Sequence, residues 1–198
     1  MEQQHHDPTS TNLIARACAD DQEAWRQLVH IYGVLVHRWC LRAGLQEEDV
    51  ADVFQETFRT VSRDLTSYSP QKAVGSFRSW LRSIVRSKVA DHFRRNQRQP
   101  IGEGGTDAQT RMADFVDPLA DEADDEVAED KALLVHRALE LIKPEFAETN
   151  WKAFRQVAID GQSITDVAEQ LNLNPQAIRQ ANYRIRRRLR LVLQDLDD

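Results

Sequence analysis

The sequence predicts an all-α fold: two small helical domains joined by an acidic, flexible linker. Three observations carry that prediction. Apolar residues recur at helical spacing on both sides of residues 99–126, and no segment shows the period-2 alternation of a half-buried strand. Glycine and proline are scarce, 7 and 6 in 198 residues, yet three of the glycines and two of the prolines fall within 99–125. That same stretch holds most of the acids and lacks sustained periodicity, as a linker does.

Residues 1–10 are expected to be a disordered N-terminus, with His5 and His6 as a mobile tip. The first domain spans 11–98. Asp20 is placed to cap a helix, with Glu23 closing a capping box. Trp25, Leu28, Val29, Tyr32, Leu35, Val36, Trp39 and Cys40 follow as its apolar face, and Gly44 ends it. The next helix begins near Gln46 with Glu47, Glu48 and Asp49 in its first turn, which suits the helix dipole. Its core stripe reads Val50, Val53, Phe54, Phe58, Val61 and Leu65. Residues 68–76 form a loop on Pro and Gly evidence. A further helix carries Phe77, Trp80, Leu81, Ile84, Val85, Val89 and Phe93 on one side. For Trp80 and Phe93, core packing is favoured over a role as stacking platforms.

The second domain, 127–198, opens with a helix over 127–142. Another starts at Pro144 and runs through Ile159, and Asp160-Gly161 turns the chain. Ser163 with Asp166 three residues on is a capping pattern, and Ile164, Val167, Ala168 and Leu171 make a short apolar face. Asn172-Leu173-Asn174 is a turn, Asn174 a cap, and Pro175 takes the first helical position, where its missing N–H costs nothing. Ile178, Ala181, Ile185 and Leu189 form the core stripe of the last helix. Two helices joined by about three residues is helix-turn-helix spacing. In such a unit the N-terminal part of the second helix enters the major groove. There it offers Gln176, Arg179, Gln180 and Tyr183, with Gln suited to adenine and Arg to guanine. Arg184, Arg186, Arg187, Arg188 and Arg190 follow and suit phosphates.

The net charge of −6 hides strong segregation. Lys72 to Arg98 holds eight Lys/Arg against the one acid Asp91; Glu103 to Asp130 holds eleven Asp/Glu against Arg111; Arg179 to Arg190 holds six arginines and no acid. Two cationic blocks flank an anionic one, and local fields of that kind select nucleic acid whatever the total charge. Two cysteines, Cys18 and Cys40, are too few for a disulfide framework, and the HxxC of His37 and Cys40 has no second ligand pair. No cofactor or metal is called for. The chain lacks a membrane span and a signal peptide, so the expected location is the cytoplasm.

Three stretches together resemble the extracytoplasmic function (ECF) sigma factors, small promoter-recognition subunits of bacterial RNA polymerase. DVADVFQETFRTVSRDL at 49–65 resembles the family's region 2.2, GSFRSWLRSIVRSKVADHFRR at 75–95 resembles regions 2.3 and 2.4, and GQSITDVAEQLNLNPQAIRQANYRIRRRLR at 161–190 resembles region 4. The resemblance covers roughly 12–98 and 127–196. It implies that Asp49, Asp52, Gln55 and Glu56 dock on the β′ clamp coiled coil of core polymerase, with the β subunit a further contact. It implies that Arg78, Arg82, Arg86, Ser87, Lys88, Asp91, Arg94 and Arg95, with Tyr68 and Lys72 before them, hold the melted −10 strand. Arg78, Arg82 and Arg86 step by four and can track a phosphate backbone. Many members carry Asn where this chain has Ser87. The −35 element would be read by Gln176, Arg179, Gln180, Tyr183, Arg184, Arg187 and Arg188. The expected partners are core RNA polymerase, promoter DNA and, as in many members, an anti-sigma factor; the free chain is expected to be a monomer.

Two alternatives stand beside this. An autonomous helix-turn-helix regulator would bind operator DNA without polymerase, but needs a dimer interface that no heptad pattern supplies. An acid-cluster nuclease using Asp49, Asp52 and Glu56 lacks a histidine and any nucleophile–base pair, so the chain is expected not to be an enzyme. The linker is open to two roles: a nucleic-acid mimic inside the polymerase, or a solubilising spacer.

Overall fold

The computed structural model describes residues 13–68, 76–98, 119 and 123–193. Among these no strand occurs, as the all-α expectation requires. The helices are α1 (Leu13–Cys18), α2 (Gln22–Arg42), α3 (Glu47–Asp64), α4 (Phe77–Arg98), α5 (Asp124–Ile142), α6 (Glu148–Ala158), α7 (Ile164–Leu171) and α8 (Pro175–Leu193). A 3₁₀ turn, Leu65–Ser67, extends α3, and another, Lys143–Glu145, follows α5.

Local chemistry fixes the ends of α2, with one correction. The cap is Asp21, not Asp20. Asp20 sits at φ 60°, in the left-handed region that turns the chain between α1 and α2. Asp21 Oδ1 then accepts from the N–H groups of Glu23 (2.9 Å) and Ala24 (3.1 Å), satisfying two of the orphan donors of the first turn. Glu23 closes no capping box; its carboxylate takes both N–H groups of Arg26. At the other end Gly44 adopts φ 85°. Its N–H reaches Leu41 O and that of Leu45 reaches Cys40 O, the paired bonds of a Schellman motif.

α2 runs through the centre of the larger core. Leu28, Ile31, Leu35, Val36, Trp39 and Cys40 are all buried. Against them α3 sets Val50, Val53, Phe58 and Val61, and α4 sets Phe77, Leu81, Val85 and Val89. Each such side chain contributes about 1.5–3 kcal/mol of hydrophobic stabilisation. Trp80 is half-buried, packed on Phe77 (5.5 Å between ring centroids) and Tyr68 (5.1 Å), and Phe93 is half-buried against the same core. Packing, not base stacking, is what these two rings do in this structure.

α5 begins at Asp124, inside the stretch read as linker. Asp124, Asp125 and Glu126 occupy its first turn, where carboxylates favour a helix. Its buried residues, Asp130, Leu134, Ala138 and Ile142, step by four. α5 lies antiparallel along α2: Glu126 pairs with Arg42, Glu129 with Arg38, and Arg137 lines a groove with His30 and His37. Through α5 the larger core continues to Phe154, Ile185, Val192 and Leu193. A second, smaller core joins Ala153, Val167, Ala168 and Ile178. Pro144 does not open α6 as expected. It belongs to the 3₁₀ turn; Phe146 is extended (φ −121°, ψ 145°) and α6 starts at Glu148.

Candidate nucleic-acid interface

The last three helices build one face from local signals. Ser163 Oγ accepts from the Asp166 N–H at 3.1 Å, starting α7. Asn172 turns left-handed (φ 51°), which asparagine tolerates, and the N–H of Leu173 returns to Ala168 O at 2.9 Å. Asn174 Oδ1 then accepts from the Gln176 N–H at 2.7 Å, and Pro175 opens α8. Val167, Ala168 and Ile178 lock α7 against α8, with Ala153 of α6 beneath. The buried side of α8 is therefore fixed, and the opposite side presents Gln176, Arg179, Gln180, Tyr183 and Arg184 around a single open concavity. All five are exposed, Tyr183 to 62%. A large aromatic ring that open, among arginines and glutamines, is a contact surface without a partner in the fold.

Arg187 is exposed further along α8, whereas Arg188 differs from expectation. Its Nε and Nη2 donate to the Glu145 carboxylate at 2.7 and 2.8 Å. The bidentate pair ties α8 to the 3₁₀ turn after α5, so Arg188 is a tether inside the fold in this state and not an open phosphate contact.

On α4 the four-residue arginine stripe divides. Arg78 and Arg82 are buried, 5% and 8% exposed, which corrects the expectation of an open stripe. Arg78 Nη2 donates to Asp130 Oδ2 at 2.6 Å, Arg82 Nη2 reaches Leu119 O at 3.4 Å, and both guanidinium groups lie 5.5 Å from the Trp39 ring centre. The lower half is open. Arg86, Ser87, Arg94 and Arg95 are exposed, Lys88 and Asp91 half-buried, and Asp91 pairs with Arg94 at 2.5 Å. Tyr68 packs on Phe77 and Trp80; Lys72 and most of the 99–126 segment lie outside the described residues.

Asp52 and Gln55 of α3 are exposed, and Asp49 and Glu56 half-buried. Asp49, Asp52 and Glu56 line a groove whose other wall is Lys88, His92, Arg95 and Asn96 of α4. The anionic and cationic faces thus adjoin, with His92 Nε2 3.4 Å from Asp49 Oδ2. At the far end of α3 the Asp64 carboxyl is held below the usual range, first by its hydrogen bonds from Arg63 and then by the Arg63 and Lys88 charges. Among the described residues no group of three His, Cys, Asp or Glu is placed to hold a metal ion, and no helix is long and apolar enough to cross a membrane.

The family model for sigma-70 region 2 matches residues 28–99, which hold α2 from Leu28, α3 and α4. The ECF RNA polymerase sigma factor SigM of Mycobacterium tuberculosis is 27% identical over 188 residues, 95% of this chain and 86% of its own length. The RNA polymerase sigma factor CnrH of Cupriavidus metallidurans is 35% identical over 82 residues, 41% of each chain. The chain belongs to the ECF-type sigma factors. As one of them it directs transcription through RNA polymerase. Among solved structures, CnrH in complex with the cytosolic domain of CnrY covers 96% of this sigma factor and 99% of its own chain, at 24% identity and a TM-score of 0.38. A superposition that loose leaves the placement of the helices to this sigma factor's own contacts.

Those contacts name residues the sequence did not single out for function. Arg38, Trp39 and Arg42 of α2 and Glu126, Glu129 and Asp130 of α5 meet across the junction of the two units. The one sequence signal for them is a tryptophan on a core stripe flanked by arginines, since a buried indole N–H needs an acceptor.

Proposed function

We propose that this sigma factor reads duplex DNA at the −35 element with the N-terminal half of α8 and captures the melted −10 strand on the open part of α4. Gln176, Arg179, Gln180 and Tyr183 face base edges; Arg184 and Arg187 face phosphates. Arg86, Ser87, Lys88, Asp91, Arg94 and Arg95 hold the single strand, whose opening is driven by its capture and not by nucleotide hydrolysis. Asp49, Asp52, Gln55 and Glu56 of α3 dock on the β′ clamp coiled coil, where an anionic helix face gives speed and orientation to association. An anti-sigma factor would act by covering one of these faces.

The observation that carries this function is the capped two-helix frame whose outer side leaves five DNA-compatible side chains around one open concavity. Reconstitution with purified core polymerase tests it. The mixture should initiate at a discrete set of sites in a genomic fragment library, and the sites should share two spaced elements. Tight, polymerase-independent binding to a symmetric duplex would instead establish an autonomous regulator.

A further inference from the structure

The C-terminal end of α2 and the start of α4 form a cationic socket of Arg38, Trp39, Arg42, Arg78 and Arg82, and the first two turns of α5 fill it. Asp130, fully buried, accepts from Trp39 Nε1 at 2.8 Å and from Arg78 Nη2 at 2.6 Å through one oxygen, Oδ2. Arg38 Nε stands 3.6 Å from the other oxygen. Glu126 pairs with Arg42 and lies 3.9 Å from Arg82, and Glu129 pairs with Arg38.

We propose that this contact is an intramolecular latch. The carboxylates of α5 occupy the upper half of the α4 arginine stripe in place of nucleic-acid phosphates, and they must leave before the strand surface is complete. The inference rests on the strand-capture role given to α4 above. Three features support it. Arg78 and Arg82 continue the four-residue stripe that Arg86 carries into solvent, so uncovering them doubles one surface instead of exposing an unrelated one. The guanidinium fork binds carboxylate and phosphate by the same bidentate geometry, so the two anions compete directly. The contact is also built to open. A buried ion pair roughly offsets its own desolvation, and on separation both partners regain water, whereas an apolar contact regains nothing. Asp130 Oδ1 accepts no hydrogen bond, so the closed state leaves one carboxylate oxygen under-satisfied.

The test uses the full chain and a short, fluorescently labelled, A·T-rich single-stranded oligonucleotide at low salt, with binding read by anisotropy. Asp130→Asn keeps the shape of the side chain and removes its charge. If the closed form holds most of the population, this variant binds about tenfold tighter than the parent, because apparent affinity scales with the competent fraction. Its log K against log salt slope steepens by about 1.4, roughly 0.7 for each of two added phosphate contacts. The double variant Glu126→Gln/Glu129→Gln leaves Asp130 in place and guards against misfolding of the first; it binds about threefold tighter by the same relation. Equal binding by parent and both variants, with Arg86→Ala weakening all three, overturns the latch and leaves the strand surface standing. Should Arg86→Ala and Arg95→Ala change nothing in any background, the strand surface fails and the latch with it.

Discussion

Replacing Arg179 with alanine should change which upstream sequences the holoenzyme uses without changing how well the protein folds. Arg179 is exposed at the N-terminal end of α8, beside Gln176 and Gln180, and makes no ion pair among the described residues. Its removal leaves nothing buried and unsatisfied, so the urea midpoint should shift by no more than the equivalent of about 0.5 kcal/mol. The whole effect then falls on DNA. A bidentate contact to a guanine edge discriminates by about 1–3 kcal/mol, which at 1.4 kcal/mol per decade is roughly 5- to 150-fold. The assay is initiation by holoenzyme on templates differing at single upstream positions, repeated over a range of salt. At one position the preference should collapse, while other positions and the salt slope hold. Arg188→Ala is the contrast. Its pair with Glu145 is partly exposed, so the substitution costs stability of about 1 kcal/mol or less and alters no base preference. A uniform loss across all templates, with the salt slope falling by about one, would refute base reading by Arg179 and make it a phosphate contact. Loss of the polymerase complex itself would show that the interfaces are assigned to the wrong faces.

Other outcomes follow from the same structure. Reversing charge with Asp52→Lys and Glu56→Lys should weaken the polymerase complex about tenfold or more in a pull-down titration, chiefly through slower association, and leave helicity by circular dichroism intact. Asn174→Ala removes the acceptor for the Gln176 N–H and should lower stability by about 1 kcal/mol, read as a urea midpoint at unchanged m. The Ala24 N–H, and after it Arg16, hold the Asp21 carboxyl below its ordinary value. Its stabilisation is complete above the unfolded value of about 4 and is lost as pH falls through the lower folded one. Asp21→Asn, which caps without titrating, should therefore flatten the acid limb of the stability curve below about pH 4. Burial pushes the Cys40 thiol up to about 12, so alkylation at pH 8, followed by mass spectrometry, should modify it only at the rate of unfolding.

What the sequence made legible, and what it hid, divides along a physical line. The helix-turn-helix was readable because each of its instructions is local: Ser163, Asn174 and Pro175 act on N–H groups within three residues, and Ile178, Ala181 and Ile185 declare one face by spacing alone. The error at Asp20 was of the same short range, since two adjacent aspartates offer the same cap and only the backbone, left-handed at the first, decides between them. Arg78 and Arg82 failed for another reason. Arginines repeating every four residues normally face water, and what covers these two is a carboxylate helix about fifty residues further along the chain, across a segment with no periodicity to follow. Hydrophobic spacing cannot report such a contact, because its members are charged on both sides. Complementarity can: Arg38 and Arg42 step by four at the end of α2, Glu126 and Asp130 step by four at the start of α5, and Trp39 between the arginines brings an indole N–H that has to find an acceptor. The contact that pattern analysis passes over is also the one least committed energetically, since paired charges return to water at little net cost while Leu134, Ala138 and Ile142, one to three turns on, do not. An α5 that hinges open should therefore lose its first two turns from the socket before its apolar half parts from the core.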